Sequence, residues 1–496
     1  MWKSLTALSI ILTLPAVASA QEEHQHKAPE HLGTVHFRTS CAAVVQPAFE
    51  RAVALLHSFA YDAADAGFAD VLAHDGSCAI AHWGRAMSHY HQLWEVPAGA
   101  ALSAGAAEIQ DARTPGRTSQ RERSLIQALG AYYADAGTVP ATVRANRYSD
   151  AMGKLSSANA LDDEIATFYA LSLIATAPPT DVSHARQKRA ADILEPIWRR
   201  HPDHPGVPHY LIHAYDSSEL AQRGLPAARA YAKIAPSAPH ALHMPSHIFT
   251  RLGLWQDSIT SNLAAREAAL AEHDVGEALH AMDYLTYAYL QLGRDGDAAK
   301  IIAELKTMSG LSGAGFKIGY AGNAMPVRLA VETENWAEAA TLMPMSDSSP
   351  QVAALVWWAR ALGKLRAATP IPAEQDIAEI EKCRDALRAA KDNYWASQSD
   401  TLLKSAQGWQ AAAAGHGDEA VRLMTAAAEE EERLEKLPLT PGPIVPAREQ
   451  LGQLLLTLDR PVEALAAFGA ASSLAPGRRG ATQGAAQARR LLAKPA

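Results

Sequence analysis

LGQLLLTLDRPVEALAAFGAASSLAP, residues 451–476, is the stretch whose reading decides the fold. Small residues at Gly452, Ala464 and Ala471 accompany Phe468, and Pro476 follows. Proline has no amide proton and its ring clashes with the preceding turn, so it closes a helix. The stretch therefore reads as two helices that touch through small side chains. The rest of the chain has the composition for more of the same, being rich in alanine, poor in strand-type alternation and only 6% aromatic. At 496 residues it is longer than one compact core normally serves.

These residues stand where the tetratricopeptide repeat, a 34-residue helix-turn-helix, carries its signature. With Pro476 at position 32, Gly452 falls at 8, Ala464 at 20, Phe468 at 24 and Ala471 at 27. The frame recurs with drift at Ala64, Phe68 and Val71, at Ala151, Leu155 and Ala158, and at Ala190, Leu194, Ile197 and Pro202. Pro236 follows one period after Pro202. Leu252-Gly253 and Leu292-Gly293 occupy turns, with Ser258 and Ala298 at the small position, and Gly415 with Ala420, Met424 and Ala427 repeats the pattern. The chain thus resembles the tetratricopeptide superfamily over most of residues 40 to 490. The resemblance implies an all-α fold of helical hairpins stacked into a right-handed superhelix, with an array over 40–436 and a last unit and final helix over 447–496. Between about 305 and 400 the register is open, although Asn335-Trp336 and Trp357-Trp358 suggest helices.

Two proline-rich stretches break the array, Thr369-Pro370-Ile371-Pro372 and residues 437–446, the second read as a linker. At the other end, Lys3, an apolar run from Leu5 to Val17 and Ala18-Ser19-Ala20 have the anatomy of a cleavable secretory signal over 1–20. Residues 21–39 are expected to form a mobile leader. A periplasmic or secreted protein is the expectation, and no later stretch is apolar enough to span a membrane. Three cysteines exclude a disulfide scaffold. Cys41 and Cys78, each ahead of a helical segment, are candidate disulfide partners, which leaves Cys383 as a thiol. A net charge of −8 argues against nucleic acid as a partner, and the basic cluster Arg478, Arg479, Arg489 and Arg490 reads as the solvated face of the last helix.

The chemistry lies between 205 and 290. His209, His213 and Asp216, then His240, His243 and His247, then His280 and Asp283 are spaced by three, four or seven residues, which puts each set on one helix face. The repeat register selects the same face. With units starting at Pro205, Pro239 and Leu279, all eight fall on positions that line the concave groove in the family. His209, His243 and Asp283 share one layer, and His213 and His247 the next. Adjacent helices pack about 8–10 Å apart, so inward imidazoles from neighbours reach a common point. Pro245 marks a late start or a bend in the second helix.

A lone histidine on a repeat helix is normally a packed side chain; six on one face point to a metal. His209, His213, His243, His247, His280 and Asp283 are the candidate ligands, with Asp216, His240 and Tyr287 lining the groove. Imidazole and carboxylate without cysteine suit a divalent transition metal, zinc, iron or copper among others, and leave its identity open. Tyr210, Tyr215, Tyr284 and Tyr287 are candidates for supporting hydrogen bonds. His57 and the His82–His91 region read as packing. No zincin, phosphate-loop or Cys-x-x-Cys signature is present, and Gly310–Ala314 misses the nucleophile elbow by its last glycine. The runs 209–216 and 239–247 are also similar to those of exported bacterial repeat proteins of unassigned function, which supplies no reaction. The leading reading is an exported repeat scaffold that takes a protein, peptide or small ligand in its groove and holds a metal there. The alternatives are a metal-dependent hydrolase or oxygenase using the same residues, and an adaptor in which the histidines give polar contacts only.

Overall fold

The structure, a computed structural model, describes residues 30–93, 96–113, 117–437 and 439–493. The expected signal at 1–20 and the first part of the expected leader lie outside the described residues. From His31 onward the chain is one compact unit. Among the described residues it contains helices and no strand, only an isolated bridge between Cys78 and Arg117.

Helices pair in chain order, from Gln46–His57 with Tyr61–His74 through Ala447–Thr457 with Pro461–Leu474, and Arg479–Leu492 closes the series. The signature positions explain the pairing. Ala64, Phe68, Ala190, Leu194, Ala464 and Phe468 are all completely buried between helices. At Gly452 a Cβ would come within 2.7 Å of the Phe468 ring, and at Gly84 within 2.5 Å of Phe68, so in each case the ring occupies the space that glycine leaves. The fold is a tetratricopeptide-like array of helical hairpins. In the stretch whose register was open, the second helix of one hairpin shrinks to Trp336–Ala339, and Pro350–Leu365 and Glu374–Ala389 flank the Thr369–Pro372 break.

Three expectations change. Residues 31–39, assigned to a mobile leader, run extended across the helices: the Thr34 amide donates to the Asp203 carbonyl at 3.0 Å, and Phe37 is buried between Phe49 and Trp83. Three apolar side chains in this short segment, Leu32, Val35 and Phe37, anchor it. Arg478 is not solvated but buried, with its guanidinium 2.7 Å from Glu332 and 2.8 Å from Glu449. The proline-rich segment at 437–446 is no exposed linker, since Thr440, Pro441, Gly442, Ile444 and Val445 are buried. Its place is over the histidine-bearing helices. Cys41 and Cys78 form a disulfide, and Cys383 is a buried thiol.

Candidate metal centre

Three consecutive first helices carry the site. Gly206–Tyr215 bears His209 and His213; Pro239–His243 and Pro245–Arg251 bear His240, His243 and His247; Val275–Gln291 bears His280 and Asp283. Pro245 splits the middle helix at Met244, since it cannot donate to the turn before it but suits the first position of a new helix. Gly253 and Gly293, at φ +69° and +70°, end the second and third helices in the left-handed conformation that glycine adopts without a Cβ penalty. Asp274 caps Val275–Gln291 by accepting from the Glu277 amide at 2.9 Å. That cap fixes the turn from which Glu277 reaches His240.

The six histidines gather in two sets of three, and within each set the ligand nitrogens lie within 4.8 Å of one another. In the first, His209 Nε2 is 3.1 Å from His213 Nε2 and 3.2 Å from His240 Nε2. In the second, His243 Nε2 is 3.1 Å from His247 Nε2, and the His280 ring centroid is 4.3 Å from that of His243. All six are buried, with His213 the most open at 7%. Burial first, and then the neighbouring imidazoles, push the pKa values of His209, His213, His243 and His280 well below the ordinary histidine value. Burial takes His247 down to about 4, although Asp216 opposes the shift. These rings are neutral at neutral pH.

The hydrogen bonds on the far side of the rings decide which nitrogen is bare. His209 Nδ1 donates to the His57 carbonyl at 2.6 Å. His247 Nδ1 donates to Asp216 Oδ2 at 2.9 Å, and His243 Nδ1 to Asn262 Oδ1 at 2.6 Å. The orientation of the Asn262 amide is fixed because its nitrogen donates to the Ser258 carbonyl at 2.8 Å. A neutral imidazole has one N–H, so the Nε2 atoms of His243 and His247 present lone pairs to each other. Asp216 stays ionised, because Lys436 and Arg251 outweigh the opposing effect of burial.

The sequence placed Asp283 among the ligands; in the structure it stands in neither histidine set. Its carboxylate accepts from Arg328 Nε at 2.8 Å, and the same guanidinium donates to the Gly442 carbonyl at 3.0 Å. The charge of Asp283 is thus spent on a buried arginine from the next hairpin, which clamps the proline-rich strap. Nor do the expected layers converge: His209 meets His213 and His240, not His243 and Asp283. His240, expected only to line the groove, belongs to the first set. Asp216 supports His247, and Tyr287 lies away from the histidines, accepting from Arg478 at 2.8 Å. Tyr284 is the tyrosine at the site, its hydroxyl 3.3 Å from His247 Nε2 and donating to the Thr440 carbonyl at 3.2 Å. Tyr210 bonds His57 instead, and Tyr215 donates to Glu195.

Several residues escaped the sequence. Glu164 sits between His57 and His204, at 3.0 and 2.9 Å, a third buried set in which the carboxylate already satisfies both imidazoles. Burial alone would raise the Glu164 pKa, but His204 and His57 together hold it below the usual carboxylate value. Phe59, in left-handed conformation at φ +56°, lays its ring against His209, His213 and His240 at centroid distances of 4.4, 5.7 and 5.5 Å. Such a backbone costs a bulky residue on the order of 1–3 kcal/mol. Asn262, Glu277 and Lys436 were also missed; none has a sequence signal apart from its partner. A cleft bounded by Ala177, Pro179, His184, Lys436 and Leu437 opens onto His213 and Asp216.

No family model matches the chain, and no curated protein matches it. Solved structures with a similar arrangement include the human IFIT1 dimer with m7Gppp-AAAA, at 13% identity over 84% of this chain and 90% of that one, with a TM-score of 0.37. Yeast Tom70 matches at 9% identity over 89% and 87%, TM-score 0.34, and the TPR domain of P58(IPK) at 12% over 91% and 98%, TM-score 0.21. At such scores the likeness says nothing of what this chain binds.

Proposed function

We propose that this protein is an exported helical-repeat scaffold whose buried histidine chamber binds a transition metal ion, zinc, iron or copper by donor type. The observation that carries the reading is the His243–His247 pair. Two bare imidazole nitrogens 3.1 Å apart repel unless a cation lies between or beside them. Metal–nitrogen bonds of about 2.0–2.1 Å at a tetrahedral angle set ligand nitrogens about 3.4 Å apart, close to the separations in both sets. The second partner of His209, His240, His243 and His247, a carbonyl, amide or carboxylate, is the support that metal-bound histidines use. Export is supported by the secretory signal anatomy and by the Cys41–Cys78 pair, which suits an oxidising compartment.

One observation favours the alternative reading, a metal-dependent enzyme. A set of three imidazoles leaves a position open for water or substrate, and the cleft at His213 leads to it. A hydrolase or an oxygenase would use that position. Turnover of candidate substrates that chelation abolishes separates enzyme from binding scaffold.

The first test is metal analysis of the purified full chain beside His243→Ala and Asp283→Ala. Metal in the wild type, a lower content in His243→Ala and full retention in Asp283→Ala are expected. Near-zero content in all three after exposure to zinc, iron and copper overturns the reading and leaves the adaptor.

A further inference from the structure

We infer that the chamber binds two metal ions side by side, one in each histidine triad, rather than a single ion. The inference rests on the metal-binding reading and extends it to a dinuclear centre.

The repeat itself supplies the first argument. His209 and His213 lie four apart on one helix and are joined by His240 from the next; His243 and His247 lie four apart on that next helix and are joined by His280 from the one after. His243 and His247 follow His209 and His213 by 34 residues, the period of the repeat. The second triad is the first moved along the array by one hairpin. A single ion would have to choose between two equivalent sets of donors.

The second argument is proximity. Ring centroids across the boundary, His213 to His247 and His240 to His243, are 6.0 and 6.2 Å apart, against 4.9 to 5.0 Å for bonded pairs within a triad. The triads therefore share one chamber. His240 and His243, one helical turn apart on the same short segment, belong to opposite triads and tie the two sets to a common backbone.

Charge then specifies the ligand between the ions. Imidazole ligands bring no negative charge to a metal, and each carboxylate around them already has a cation: Asp216 has Lys436 and Arg251, Glu277 has Lys317, and Asp283 has Arg328. Two dications in this buried, charge-balanced space would repel strongly. A small bridging anion such as hydroxide relieves that repulsion, and the triads' open positions give it a place. Burial on all sides restricts the bridge to a few atoms. The exogenous ligand class is a small anion reaching the chamber past His213.

The experiment loads metal-free full-length protein with copper(II) and counts bound copper by mass spectrometry after dialysis. The same is done with His240→Ala and His280→Ala, whose folding is checked by circular dichroism. Two equivalents in the wild type and one in each variant are expected. Paramagnetic resonance gives a readout that needs no variant: two copper(II) ions in one chamber couple, so the integrated wild-type signal falls well below one spin per copper, and added azide perturbs it. One equivalent in the wild type, two in either folded variant, or two uncoupled spins overturns the dinuclear centre while leaving metal binding intact. No retained copper, zinc or iron at all defeats the metal reading beneath it.

Discussion

His243 and His247 turn their Nε2 atoms toward each other at 3.1 Å while both Nδ1 atoms are engaged as donors, to Asn262 and to Asp216. The pair is held from behind. Removing one support without touching the ligands tests whether that arrangement serves a metal. Asn262→Ala is expected to weaken metal affinity by about 10–100-fold, the usual cost of losing such a partner. Competition with a chelator of known affinity measures it, and unchanged affinity would count against His243 as a ligand.

Acid should destabilise the metal-free protein. The folded pKa of His247 is about 4 against an ordinary value of 6.5, so the unfolded chain binds a proton over that interval and the native state does not. The stabilisation is complete above pH 6.5 and is lost as pH falls toward 4, with His209, His213, His243 and His280 acting in the same direction. For His247 alone the loss is on the order of 3 kcal/mol. Denaturant titrations at pH 7 and pH 4.5 are expected to differ more for the wild type than for His247→Phe.

Asp283 and Arg328 separate structure from ligation. Arg328→Met strands a buried carboxylate and frees the strap carbonyl of Gly442, for an expected destabilisation of about 3–5 kcal/mol. Asp283→Asn keeps a hydrogen-bond acceptor and should cost less. Neither change should alter metal stoichiometry in folded protein, and a drop in bound metal for Asp283→Asn would restore Asp283 as a ligand.

Gly84→Ala probes the repeat packing away from the site. The new methyl meets the Phe68 ring at 2.5 Å and must displace it, which should cost about 1–3 kcal/mol. A fall in Tm with metal binding preserved is expected.

Reduction of Cys41–Cys78 releases a cross-link spanning 37 residues, and the unfolded chain regains the entropy of that loop. A loss of about 2–4 kcal/mol is expected, read as a lower Tm in dithiothreitol. Cys41→Ser/Cys78→Ser should match the reduced wild type.

Local spacing by itself determined the hairpins and the face of each helix, because a glycine opposite Phe468, a proline after a helix and histidines three or four apart act within one or two turns of backbone. It therefore brought His209, His213, His240, His243, His247 and His280 to one side of the array. The grouping into triads was decided in three dimensions, where His240 and His243, on one short helix ahead of the break at Pro245, meet different partners. So was the fate of Asp283, since Arg328 lies 45 residues away and meets it only through the stacking of hairpins. The strap at 437–446 looked like a linker because prolines forbid helix, yet proline does not dictate exposure. Its burial depends on Tyr284, Arg328 and the Lys436–Asp216 contact, with partners more than 100 residues distant in sequence. Charge pairing and the choice of bare nitrogen are tertiary properties, set by whichever donor or acceptor the fold delivers.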